Sequence, residues 1–211
     1  MRPAGPVRLP DEVRPMLPVS FFFTEVVGGQ DHWPASVLRA SWATNQGERA
    51  FEPTELKDYF GLLAGDKLPV VTVAEPGRSG AVLKLEIKQA GFAWWTVQLG
   101  RANWETSDER PYLRNGRLEL AVRGEVGEEA VRVGLVDAQE TPEVAQVLLT
   151  RHATLTKDWQ LVRVPLRELK AANPKLDWSR VKAVQIASAH GRPLTLYLDD
   201  IRIVNPVASE D

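Results

Sequence analysis

From residue 82 to the end of the chain, apolar side chains recur at every second position in runs of three or so. Leu83, Leu85 and Ile87 alternate with Lys84 and Glu86, and Trp95, Val97 and Leu99 with Thr96 and Gln98. Leu118, Leu120 and Val122, then Val131, Val133 and Leu135, then Val162, Val164 and Leu166, then Val184 and Ile186 repeat the pattern. Side chains of a strand point alternately to its two faces, so each run offers one face to a core and one to solvent. Turn chemistry separates the runs, as at Glu75-Pro76-Gly77 and Asn115-Gly116. A parallel α/β fold needs a helix between strands, and the sequence has one convincing helix. It covers residues 53–64, where Leu56, Tyr59, Phe60 and Leu63 share a face, Pro53 suits the first turn and Gly65 the stop. The pattern predicts an all-β antiparallel sandwich with one short helix. Its core should hold Leu83, Leu85, Val97, Leu120, Val133, Val164, Ile186 and Ile203.

Composition sets the outer limits. A chain of 211 residues with 44% hydrophobic and 26% charged residues can bury a core without staples, and it has no cysteine for disulfides, thiolate metal sites or thiol catalysis. A formal net charge of -2, with no basic block, gives a polyanion nothing to bind, so nucleic acid is excluded as a partner. No apolar run approaches the roughly 18–20 residues that span a bilayer. The stretch 17–23 is too short for a clear signal peptide. The expected compartment is extracellular or periplasmic if a leader was trimmed, and cytoplasmic otherwise.

The chain divides into an N-terminal extension (1–50), a β-sandwich binding domain (51–206) and a short tail (207–211). Four prolines among the first fifteen residues make the leader irregular. A strand is expected within 19–27, and Trp33 and Trp42 are expected to pack.

Enzymatic signatures are missing. There is no Gly-x-Ser-x-Gly elbow, no His-Glu-x-x-His and no phosphate loop, and His32, His152 and His190 are scattered. The carboxylate pairs Asp108-Glu109, Glu128-Glu129 and Asp199-Asp200 are sequence neighbours, which a regular strand sends to opposite faces.

Five segments, in order, resemble carbohydrate-binding modules of the galactose-binding-like jelly roll. They are 71–87 with its Ser79-Gly80 turn, 116–124, 131–137, and 155–166 with Thr156, Asp158-Trp159 and Val164-Pro165-Leu166. The last is 178–186, running into the Asp199-Asp200-Ile201 closing strand. The nearest likenesses are family 11 glucan-binding modules and the domain of complex I intermediate-associated protein 30. The resemblance implies a non-catalytic module that binds a poly- or oligosaccharide on a concave sheet face. It also implies a structural Ca²⁺ held by Glu52 and Asp199, with backbone carbonyls around Arg78-Ser79-Gly80. The plainer alternative is that Asp199 caps a turn or pairs with Arg202.

Alternation then nominates the sugar face. Trp94, Gln98, Glu119, Arg132 and Gln185 all fall opposite core positions, Trp104 lies in a loop, and Ala121, Gly134 and Ala187 leave room beside them. Flat rings stack on sugar faces, and amide and charged groups meet the hydroxyls. Trp159 and Trp178 are expected in the core. A solvated outer face is the ordinary alternative for any antiparallel sheet. A protein-interaction or assembly module on the same fold is the rival function, and an enzyme on this scaffold the weakest.

Overall fold

The computed structural model describes residues 20–23, 39–44, 47–51, 70–75, 78, 81–87, 95–100, 104–190 and 192–205, with side chains at 75, 78 and from 82 onward. Their strands are β1 (Ser20–Phe23), β2 (Arg39–Thr44), β3 (Gly47–Phe51), β4 (Val70–Ala74), β5 (Ala81–Ile87) and β6 (Trp95–Gly100). They continue with β7 (Arg117–Gly124), β8 (Val131–Asp137), β9 (Val144–Leu148), β10 (Gln160–Pro165), β11 (Val181–Ser188) and β12 (Leu194–Val204). The helix α1 is Leu166–Ala172.

Two antiparallel sheets result. The first has the order β10-β7-β12-β5-β4, with β1 also pairing to β12, and the second has the order β3-β2-β6-β11-β8-β9. The extension set apart in the sequence (1–50) thus contributes β1 to the first sheet, and β2 and all of β3 but Phe51 to the second. The strands β2, β3 and β9 are short and show no sustained apolar–polar alternation, so they are not recognised without their partners. The helix expected at 53–64 lies outside the described residues.

The expected core is the observed one. Leu83, Leu85, Val97, Leu120, Val133, Val164, Ile186 and Ile203 are all buried and belong to one cluster that draws on both sheets. Trp95 and Trp178 join it. Trp159 does not: it is half-buried and sits under the guanidinium of Arg78, 4.9 Å from ring centroid to Cζ. The physical reason is that Trp159 precedes β10 rather than lying on its inward row, so alternation does not fix it.

The helix α1 starts directly after Pro165, which needs no amide donor, and it buries Leu166 and Leu169 three positions apart. It packs on β9 and β10, the outermost strands of the two sheets on that side. Asn173 ties its end to β9, its side-chain amide donating to the Val144 carbonyl at 3.2 Å and the Glu143 carboxylate at 2.7 Å.

A buried carboxylate fastens the neighbouring loops. Asp137, at the end of β8, accepts hydrogen bonds from the amides of Glu143 at 2.9 Å and Asp177 at 2.8 Å, and from the Gln139 side chain. Burial alone pushes this carboxyl up, but the donors around it outweigh that effect and hold it below the usual carboxylate range.

Leu120→Ala should lower the unfolding free energy by about 2–5 kcal/mol in chemical denaturation. Leu161→Ala, at a 42% exposed position, should stay within about 0.5 kcal/mol of the parent. Because the Asp137 pKa is depressed on folding, its contribution is complete above the unfolded value of about 3.9 and is lost as pH falls through the folded one. Asp137→Asn should therefore cost about 1.5–3 kcal/mol at neutral pH, and the difference from the parent should shrink in acid.

Candidate functional site

The two outer faces of the sandwich differ in kind. On the first sheet, central β7 places Glu119 between Arg163 of β10 and Arg202 of β12. Its carboxylate accepts from Arg163 Nε at 3.1 Å and from Arg202 Nη2 at 3.2 Å, and Glu119 is only 7% exposed. Further along the same strands, Arg123 holds Glu75 at 2.6 Å and lies 3.6 Å from the Tyr197 ring centroid. The Tyr197 hydroxyl donates to Glu125 at 2.8 Å; burial, and then that bond, raise its pKa. Arg78 closes the array on Asp199 and Asp200. This face is a set of ion pairs satisfied within the protein.

The second sheet has an uncharged centre. One row across it pairs Ser41, Gln98, Gln185, Gly134 and Gln146 on five adjacent strands. At about 4.8 Å per strand that row is about 19 Å long. Gln98 Nε2 donates to Gln185 Oε1 at 3.4 Å. Gln146 Oε1 is buried, and no donor among the described residues reaches it. The next row runs Ala43, Thr96, Ala187, Arg132 and Leu148. Among the residues named in these two rows Arg132 is the sole charged one, and it is exposed; on the edge strand β3, Glu48 stands opposite Ala43.

Trp104 belongs to this second face. Leu99 points into the core, so Gly100 presents its α-carbon outward beside Gln98. A Cβ on Gly100 would stand 2.5 Å from Trp104 Cε3 and 2.7 Å from Cζ3, so the indole lies directly on the bare backbone of β6. The ring is half-buried, and its residue adopts φ 56, a left-handed conformation that a bulky residue seldom occupies. Beyond it, reciprocal amide bonds between Ser107 and Val181, at 2.9 and 3.0 Å, fasten the loop to β11.

The structure therefore brings together Gln98, Gln185, Arg132 and Trp104. Glu119 is a correction: with Ala121 it stands on the opposite sheet, bound to two arginines, because alternation fixes in or out but not which sheet a strand joins. Gly134 does not open a hollow either. A Cβ there would meet the Ala145 carbonyl at 2.0 Å, so the glycine admits the close approach of β9. Gln185 is buried, 4% exposed, and reaches the surface through Gln98. Trp94 and Glu52 lie outside the described residues. Gln146 was missed in the sequence because β9 was missed; only its register opposite Gly134 reveals it.

Asp199 pairs with Arg78, not with Arg202, which goes to Glu119. Among the described residues no three acidic or histidine side chains converge as a metal site.

A carbohydrate-binding family accounts for this construction. The family described as "Carbohydrate binding domain 30" matches residues 36–205. The chain belongs to that family. A family 30 carbohydrate-binding module from a cellulosomal cellulase of Clostridium thermocellum superposes with a TM-score of 0.59 at 29% identity, covering 70% of this chain and 85% of that one. Another family 30 module gives 0.62 at 27% identity, covering 88% and 98%. An exo-1,3/1,4-β-glucanase from a Pseudoalteromonas species shares the fold at 13% identity, with a TM-score of 0.54 over 96% of this chain and 22% of that one. No curated protein matches the chain. The protein is thus a carbohydrate-binding module of jelly-roll fold, as the sequence segments suggested, and family 30 is its family. The likeness to the complex I assembly domain stays an expectation.

For this family 30 module, Gly100→Ala should dislodge the Trp104 ring. The indole NH resonance of Trp104 should shift in the NMR spectrum, with a stability loss of about 1–3 kcal/mol from overpacking.

Proposed function

We propose that this module is non-catalytic and binds a poly- or oligosaccharide along the outer face of the second sheet. The observation that carries the reading is the contrast between the faces. One has its charges paired internally, and the other offers a row of amides with an indole ring fixed to the sheet at Gly100, two residues along β6 from Gln98. Sugar hydroxyls need donors and acceptors without competing charge, and the C–H face of a sugar ring stacks on a flat aromatic surface. Trp104 supplies the platform. Gln98, backed by Gln185, and Gln146 supply amides on either side of the row, and Arg132 flanks it. Trp94, immediately before β6, is included on the sequence pattern alone.

Affinity electrophoresis in gels containing soluble polysaccharides, followed by calorimetry on the strongest ligand, tests this. Trp104→Ala should weaken binding by about 5- to 150-fold, the equivalent of about 1–3 kcal/mol for one ring. Gln98→Ala and Gln146→Ala should each cost about 1 kcal/mol. Glu119→Gln, on the other sheet, should leave affinity unchanged. Retention that is insensitive to Trp104→Ala but lost in Glu119→Gln would move the site to the first sheet. No retention on any polysaccharide would favour the protein-binding rival.

A further inference from the structure

Asp199 and Asp200 are adjacent on β12, yet both carboxylates meet one guanidinium. Arg78 Nε donates to Asp199 Oδ2 at 2.8 Å, and Arg78 Nη2 donates to that same oxygen and to Asp200 Oδ2, the latter at 2.6 Å. Regular alternation would send the two to opposite faces. Here Asp200 adopts φ 49 and the register with β7 slips between Asp199 and Arg202, which turns both acids to one side. The arrangement needs a cation. Asp199 is 4% exposed, and its burial, with the charge of Asp200, holds its carboxyl pKa above the ordinary value although the bond from Arg78 pulls it down. Two carboxylates this close ionise together only beside a compensating charge.

The resemblance implied a Ca²⁺ held by Glu52 and Asp199; Glu52 lies outside the described residues, and the described donors around Asp199 do not fit one. Asp199 Oδ2 is taken by two guanidinium nitrogens, and Asp199 Oδ1 accepts the Asp200 amide at 2.8 Å. A calcium ion needs six to eight oxygens, and a guanidinium standing between the two acids repels it. Arg78 is itself held in place by the Trp159 ring beneath it and by the turn in which its amide donates to the Glu75 carbonyl at 3.2 Å. We infer that Arg78 is the resident cation of this site, a side chain serving where a divalent metal would otherwise neutralise Asp199 and Asp200. The fold is then independent of metal at this end, whatever ligand the other sheet binds.

Thermal melts of the full chain with excess EDTA and with excess Ca²⁺ test this, together with terbium luminescence excited through tryptophan. The parent should melt at one temperature in both conditions and give no sensitised terbium emission from this site. Arg78→Ala should melt about 5–10 °C lower in EDTA, recover part of that loss in Ca²⁺, and show terbium emission from an ion beside Trp159. The recovery and the emission should vanish in Arg78→Ala/Asp199→Asn. If Arg78→Ala does not fold, Arg78→Lys, which keeps the charge without the two-pronged geometry, should fold, melt below the parent and ignore Ca²⁺. A parent stabilised by Ca²⁺ or weakened by EDTA overturns the inference. So does an Arg78→Ala variant that melts like the parent or is indifferent to Ca²⁺.

Discussion

Leu120 and Val122 on one sheet, and Val133 and Ile186 on the other, are sealed between the layers. A strand has only two faces, so fixing these residues inside fixes their neighbours outside. Much of what the protein presents to its surroundings follows from that. Glu119, Ala121 and Arg123 emerge on the first sheet because Leu118, Leu120 and Val122 are inside; Gln98 and Gly100 emerge on the second because Val97 and Leu99 are inside. A slip of one residue in β6 would bury Gln98 against the core and turn Leu99 out beneath Trp104.

That dependence explains how much could be seen in the sequence. Alternation identifies the core residues of β5, β6, β7, β8, β10 and β11 correctly because burial acts residue by residue. It cannot tell which sheet a strand enters, since that is decided by pairing between residues far apart in the chain. Glu119 shows the limit: its outward direction was legible, and its separation from Gln98 was not. Gln146 shows the converse, for its strand is too short and mixed to announce itself, yet pairing with Gly134 puts it in the same row as Gln185. The proximity of Arg78 to Asp199 was legible from the family resemblance, but not that its guanidinium occupies the junction.

Two of the three described non-glycine residues with positive φ fall where the outer faces are built; the third, Glu128, lies in the loop between β7 and β8. Trp104 and Asp200 are non-glycine residues with positive φ, one laying an indole on bare backbone and the other folding two acids around an arginine. Each such conformation costs of the order of 1–3 kcal/mol and persists because its surroundings enforce it. At Trp104 the enforcement is the Ser107–Val181 bridge; at Asp200 it is Arg78. The ring is consequently held in place by the protein itself, and in the proposed sugar-binding role that would spare binding the entropy of ordering it.

The placement of α1 has a consequence for crowding. Strands at the margin of a sheet carry unpaired amides and carbonyls onto which a second copy can add its own strand. Here the helix bridges the margins β9 and β10, and Asn173 engages the carbonyl of Val144. Growth by edge-to-edge addition is thereby obstructed along that flank. Edge-to-edge pairing between copies is a hazard for any open sheet, and this short helix stands across the route to it on that flank.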